Sequence, residues 1–370
     1  QNARMSDAFE ILSAEVTEEI LRRLAIPDLV RASLACRSFL SLVSSSSFPS
    51  SPTPWFFLCG LHTVRPQNHQ TFAFDPNSFS WFRLPTPSAY VNDVFVSNGF
   101  YFSDFSSSSF SFSSVFHPQW KSMPPLGSPR RNPLFTVFSP SRIVVLAGAR
   151  LFGGLVDIAD RLTVEIFDSS TRSWTQFPPL PVDFSFWYSS LNLSSVIHRD
   201  KLLVLEKHTF SFSWFDLENK NWGPLLTLRP PRAFFSYLVS CGQLLVLASM
   251  CNHPHRFVLW KVGENSAEME EIATMPNEMM DSLVDSEEDE NKFASLKCVG
   301  AENIVYIFNE DHYKTYAACV YDMKSNQWRK VPPLPSPVNK FHKVVSFCSS
   351  VSVRDVINHR TQLDSIVSTV

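Results

Sequence analysis

Phe167-Asp168-Ser169-Ser170-Thr171-Arg172-Ser173-Trp174-Thr175-Gln176-Phe177-Pro178-Pro179-Leu180-Pro181 is the stretch on which the fold of this chain turns. An aromatic-containing strand ends at Asp168, and polar residues follow whose side chains can bond to nearby backbone and stabilise a turn. Trp174 opens the returning strand, with its ring packed into a stack of sheets. The proline run ends that strand, because proline cannot donate to a ladder.

The stretch recurs. Phe74-Asp75 leads to Trp81 and Leu84-Pro85, Phe215-Asp216 to Trp222, and Tyr321-Asp322 to Trp328 and Val331-Pro332-Pro333-Leu334-Pro335. The Asp-to-Trp offset is six residues each time. Trp174 and Trp222 are 48 residues apart, and the longer gaps on either side are each about two such periods. Trp120, followed by Met123-Pro124-Pro125-Leu126, fills the first gap. Glu270-Glu271-Ile272, before Met275-Pro276, fills the second without its Trp, and strand-like Phe257-Val258-Leu259-Trp260 precedes it. Six units of roughly 50 residues fall in the range of propeller repeats. Between the markers lie short, near-continuous apolar runs, among them Ile143–Leu146, Lys201–Leu205, Gln243–Leu247 and Asn303–Ile307. They have the character of strands buried on both faces. The expectation is a mainly β chain, a ring of four-stranded blades. Lys343–Phe347 and Val351–Val353, which have no Trp turn after them, are expected to complete the first blade and close the ring.

This series resembles the kelch-repeat β-propeller family over about residues 55–353. The family's Gly-Gly pair survives only at Gly153-Gly154, in a chain with 10 glycines. Six blades are expected, with seven left open by that degeneracy.

Residues 9–48 differ in kind. Leu12, Val16, Ile20 and Leu24 recur every fourth residue, with Leu21 beside Ile20, and Glu15, Glu18, Glu19, Arg22 and Arg23 fill other positions. That is an amphipathic helix. Pro27 breaks it, and a second helical stretch carries Leu29, Leu34, Phe39 and Val43. So short a segment is marginal alone and needs another surface, either the ring or a partner. Its spacing resembles an F-box, with Leu12-Ser13 in place of the usual Leu-Pro and Phe39 in place of the usual Trp. The resemblance implies binding of a Skp1-type adaptor, and through it a cullin, by Leu12, Val16, Ile20, Leu21, Leu24, Pro27, Leu29 and Phe39, divided between contact and internal packing. F-box followed by kelch repeats is an arrangement common in plants. The expected organisation is an F-box-like segment at 9–48, a linker at 49–54, the propeller at 55–353 and a tail at 354–370.

Composition narrows the function classes. The net charge is -3 with no large basic block, which argues against nucleic acid as the main partner. No uncharged apolar run is long enough to span a bilayer. The 7 cysteines form no C-x-x-C pair, as expected of reduced, mostly buried thiols in cytoplasm or nucleus. Chemistry is sparse. Cys251-Asn252-His253-Pro254-His255 matches no standard zinc spacing, and neither a nucleophile elbow nor a phosphate loop occurs. No catalytic residue, cofactor or metal is expected. The acidic run 277–292 reads as a solvated insertion, with Ser286 before Glu287-Glu288-Asp289 as a candidate phosphorylation site. Target-binding candidates are basic or aromatic residues after the proline runs: Arg130, Arg131, Trp187, Tyr188, Arg229, Arg232 and Phe234. The resulting expectation is a non-catalytic substrate receptor of a Skp1–cullin–F-box ubiquitin ligase. The alternatives are a propeller scaffold whose N-terminal helices only pack on its own blades, and a propeller enzyme or carbohydrate binder.

Overall fold

The computed structural model describes residues 12–45, 47–48, 51–62, 64–85, 94–106, 109–116, 119–139, 141–152, 155–156, 163–181, 184, 192–252, 254–263, 267–284, 296–310, 318–335 and 342–357. Three helices come first: α1 (Ala14–Arg22), α2 (Ile26–Ala35) and α3 (Arg37–Ser44). Six antiparallel sheets of four or five strands follow, with a small two-stranded one formed by Leu151–Phe152 and Leu155–Val156. Their innermost strands are Val94–Ser97, Leu134–Ser139, Leu193–His198, Ala233–Cys241, Leu296–Ala301 and His342–Val351. Each touches the next and the last touches the first, so the ring is a six-bladed propeller.

Blade 1 closes the ring. Its inner strand is the last in the chain, His342–Val351, paired along its whole length with Thr53–His62 from Thr53↔Val351 to His62↔His342. Gln70–Asp75 and Ser80–Leu84 complete the sheet. Phe57 stacks on Phe347 at 4.8 Å across the seam. The closing strand is therefore the expected one, but it runs without interruption to Val351. Val353, expected as strand, instead begins a short helix, Val353–Ile357.

The repeated stretch forms the outer hairpin of blades 1, 3, 4 and 6. Each Asp accepts bonds from the turn that follows it: Asp75 from Asn77 N at 3.1 Å, Asp168 from Ser170 N at 2.8 Å, Asp216 from Asn219 N at 2.8 Å, and Asp322 from Lys324 N at 2.9 Å. The residue two before each Trp (Phe79, Arg172, Lys220 and Asn326) has positive φ. That left-handed conformation costs a non-glycine residue about 1 kcal/mol, which the surrounding turn and sheet offset. It aligns the Trp opposite the aromatic before the Asp, as in Phe167↔Trp174, with ring centroids 5.2 Å apart.

The indole nitrogens then join neighbouring blades. Trp81 donates to the Pro332 carbonyl of blade 6 at 2.8 Å, Trp174 to Pro124 of blade 2 at 2.8 Å, and Trp222 to Pro178 of blade 3 at 2.9 Å. The proline run thus does more than end a strand, because its first carbonyl accepts the indole N–H of the following blade. At the next equivalent position the Pro276 carbonyl already accepts Met279 N and Met280 N of the helix Asn277–Asp281, and the buried Trp328 indole nitrogen has no partner among the described residues. Blade 5 has no Trp in its outer strand Met269–Thr274. A groove lined by Phe212, Trp214, Leu226, Leu245 and Val262 opens between blades 4 and 5.

The helix at 277–281 corrects the expectation of a solvated insertion starting at residue 277. Met280 and Leu283 are buried between blades 5 and 6, and Asn309 Nδ2 donates to the Leu283 carbonyl at 2.7 Å. The apolar Met and Leu side chains hold this first part of the acidic run against the ring. Ser286 lies outside the described residues. All seven cysteines are free and six are buried, with burial pushing the Cys59 and Cys241 thiols up to about 12.

Candidate functional site

Two surfaces present side chains that can recognise another molecule. The first is built by α1. Ser13 caps it, its hydroxyl accepting from Val16 N at 3.3 Å, so the serine that stands in place of a proline serves as the helix start. Glu19 pairs with Arg23 at 3.0 Å and with Arg22 on the polar side.

Helix periodicity sorts the apolar residues into two sets. Leu21 (2% exposed), Pro27 and Leu29 face inward, and Phe39 is half-buried against the same core. Leu12, Val16, Ile20 and Leu24 are 37–47% exposed and form one row along the segment and its flanks, with Leu34 of α2 exposed as well. An uncovered row of large aliphatic side chains at four-residue spacing is the kind of surface a partner groove takes up.

The inward set does not form a separate core. Leu21, Ile26, Leu29, Val30 and Val43 share one buried cluster with Trp55 and Phe57 of blade 1 and with Val353, Val356 and Ile357 of the C-terminal helix. Arg354 donates to the Ser45 carbonyl at 2.9 Å. Both ends of the chain therefore hold the helical segment on blade 1. A cleft lined by Arg22, Leu24, Leu29, Asn77, Asn303, Asp322 and Lys324 separates it from the turns of blades 1 and 6.

The second surface follows from strand direction. The helices join at Thr53, at the end of the ring that carries the turns between first and second and between third and fourth strands. Connections between second and third strands, and those leading from blade to blade, lie at the opposite end. The candidate target-binding residues belong to these blade-to-blade connections or the strand starts after them, so they stand on the far face.

Their placements differ. Arg131 is exposed, and its backbone pairs with Ala149. Arg229 is exposed and lies over the Phe210 ring at 5.3 Å. Arg232 is exposed, and Phe234 is half-buried, edge-on to Phe235 at 5.0 Å. Trp187 and Tyr188 lie outside the described residues.

Arg130 does not belong to this surface. It is fully buried, ion-paired with buried Glu165 at 2.5 Å and bonded to the Ser128 and Thr163 carbonyls. Glu165 also accepts Gly127 N and Ser128 N. A charge with that many partners inside blade 3 organises the loop after the proline run instead of meeting a ligand.

Sequence reasoning missed a second group of far-face residues. Lys207, in the turn after Lys201–Glu206, sits 4.6 Å over the Tyr237 ring, and Lys297 pairs with Glu310. They come from blades 4, 5 and 6 and are far apart in the chain, so no local pattern marks them. His62, His69 and His342 gather on the same face of blade 1, where His62 N donates to His69 Nδ1 at 2.9 Å. Among the described residues no group of three or more His, Cys, Asp or Glu is placed to hold a metal ion. No described helix is long and apolar enough to cross a membrane.

A helical segment is fused to a six-bladed ring, with an exposed apolar row at one end and a face of loops at the other. Comparison with known proteins finds likeness to the helical segment and to the chain as a whole. The F-box domain family matches residues 9–51. An F-box/kelch-repeat protein of Arabidopsis thaliana (At1g23390) is 27% identical over 93% of this chain and 91% of its own length. The protein UNUSUAL FLORAL ORGANS, also of Arabidopsis thaliana, is 24% identical over 88% of this chain and 78% of its own length. The chain carries an F-box, and these likenesses support its place in the F-box/kelch-repeat family.

Proposed function

We propose that this protein is the target-holding subunit of a Skp1–cullin–F-box ubiquitin ligase in cytoplasm or nucleus. The row Leu12, Val16, Ile20 and Leu24 docks a Skp1-type adaptor, which links the chain to a cullin. The far face of the ring holds the protein to be modified. The chain contributes no covalent step. It raises the concentration of target lysines around the ubiquitin-conjugating enzyme. The observation that carries this reading is the split of one F-box helix: one side is buried in the blade 1 core while the other leaves large aliphatic side chains exposed.

The scaffold reading draws on the same fused core, since helices that only pack on their own blades would also bury Leu21 and Leu29. The two readings differ on the exposed row. Capture by an immobilised Skp1-type adaptor is expected for the wild type and lost for Ile20→Asp, with the circular dichroism spectrum unchanged. Capture that is absent from the wild type, or equal in both proteins, overturns the ligase reading in favour of the scaffold.

A further inference from the structure

The inward side of the F-box is completed by residues from the other end of the chain. Leu21, Ile26, Leu29, Val30 and Val43 are each at most 7% exposed, and part of the surface that encloses them is not helical-segment surface at all. Trp55 and Phe57 approach from the second strand of blade 1, Phe347 and Val351 from the strand that closes the ring, and Val353, Val356 and Ile357 from the helix after it. That helix has a defined start. Ser352 N donates to the Asp355 carboxylate at 2.7 Å, and Asp355 N donates to the Ser352 hydroxyl at 3.3 Å. Arg354 then donates to the Ser45 carbonyl, just past α3, although the two residues are 309 apart in the chain.

Neither partner in this contact is stable by itself. A helix of five residues is too short to persist without tertiary packing. The segment Ala14–Ser44 is too small to enclose an apolar core alone. Its exposed row, Leu12, Val16, Ile20 and Leu24, contributes no burial until another molecule covers it. The order of α1 to α3 therefore draws on blade 1 and on Val353–Ile357. Those residues reach the helices only when His342–Val351 pairs with Thr53–His62 in the observed register. A slip of one residue would turn Phe347 and Val351 to the other face of the sheet.

We propose that the helix Val353–Ile357 is a positioning element of the adaptor-binding site and makes adaptor capture conditional on closure of the ring. It acts through α2 and α3, against which it packs. A chain whose ring has not closed, or has opened, presents a frayed F-box and is passed over by the adaptor. The molecules taken into the ligase are then those whose target face is assembled. This dependence rests on the ligase-subunit reading for the identity of the adaptor. Because the coupling is reciprocal, a bound adaptor stabilises the closed ring by the same factor as closure favours the adaptor.

The test uses the full chain and a purified Skp1-type adaptor, with hydrogen exchange and adaptor capture read on the same preparations. In the wild type, free adaptor at about a hundred times its Kd should slow exchange in Val353–Ile357 by about a hundredfold. Val356→Asp puts a carboxylate at a site 2% exposed. It should speed exchange in α1 to α3 by at least about a hundredfold and weaken capture, while Leu244–Cys251 of blade 5 keeps its protection. Val356→Ile, which keeps the position apolar, should retain capture. Arg354→Ala should speed exchange in α1 to α3 by about fivefold, the effect of one hydrogen bond. Ile20→Asp should lose capture with exchange in the helices unchanged, which separates contact from positioning.

Unchanged exchange of α1 to α3 in Val356→Asp, or full capture by that variant, overturns the proposal and leaves the ligase reading standing. If blade 5 loses protection as well, the wild-type arm decides, and no slowing at Val353–Ile357 on adaptor binding overturns it. A wild type that captures no adaptor removes the ligase reading, and faster exchange of α1 to α3 in Val356→Asp then still supports the coupling of the two ends.

Discussion

The helical segment and the ring bury apolar surface in different ways. Each blade presents two apolar faces and finds a similar blade on either side, so residues such as Phe56, Val204, Leu247 and Ile307 are completely enclosed. The helices have no such neighbour. They bury one side against blade 1 and the C-terminal helix and leave Leu12, Val16, Ile20 and Leu24 in solvent. A repeat saturates itself, while a short appended segment keeps a surplus. The lesson is that an unsatisfied apolar face belongs where the repeat stops, and that is where a protein partner is best sought.

The sharpest way to break this comparison is to remove the strand that serves both regions. Deleting residues 342–370 takes away the inner strand of blade 1 and the helix under the F-box. The single cooperative transition in a thermal melt should be lost, and a melt like that of the wild type would show that the ring does not depend on this closure. Next in size is the interior of blade 3. Arg130→Met should destabilise the protein by about 3–5 kcal/mol in urea unfolding, because it leaves Glu165 buried without its cation. Arg130→Met combined with Glu165→Leu should recover part of that loss. A surface role for Arg130 predicts instead a change near zero.

The two sides of α1 provide the third test. Leu21→Ala, at a site 2% exposed, should cost about 2–5 kcal/mol, whereas Ile20→Ala, at 43% exposure, should leave the unfolding midpoint nearly unchanged and reduce adaptor capture. Leu21→Asp, unlike Ile20→Asp, is expected to disrupt the F-box fold itself, because its carboxylate would enter the shared core. The smallest effects concern the seams of the ring. Trp174→Phe and Trp222→Phe each remove an indole bond to a proline carbonyl, and about 1 kcal/mol of that loss belongs to the hydrogen bond. Trp328→Phe loses no such bond among the described residues and should cost less. Equal losses at all three sites would show that ring volume, not the bond between blades, sets the contribution.

The hairpins that define the ring were legible because their signals are local. Asp, a polar turn and Trp at fixed spacing lie within one hairpin, and the amphipathic period of α1 lies within one helix. The left-handed residue two before each Trp was not legible: Phe79, Arg172 and Lys220 are not residue types that announce positive φ, and the closure of the turn imposes it. Arg130 was misplaced for a related reason. A basic residue after a proline run has the composition of a surface loop, and only the position of Glu165 on a strand some 35 residues later shows where its charge goes. The Lys207, Tyr237 and Lys297 group was invisible because its members come from three blades.

The amino-acid sequence determined the units: the repeat, its turns, the closing strand, the helices and their apolar residues. These follow from backbone propensity, hydrogen-bonding capacity and periodicity, which act over a few neighbouring residues. Tertiary structure decided how the units were used. It turned the proline carbonyls into acceptors for the next blade, drew Arg130 inside, separated Leu21 from Ile20, and placed the far-face lysines together. Burial and charge pairing depend on what lies across a seam, and the chain must close into a ring before those neighbours exist.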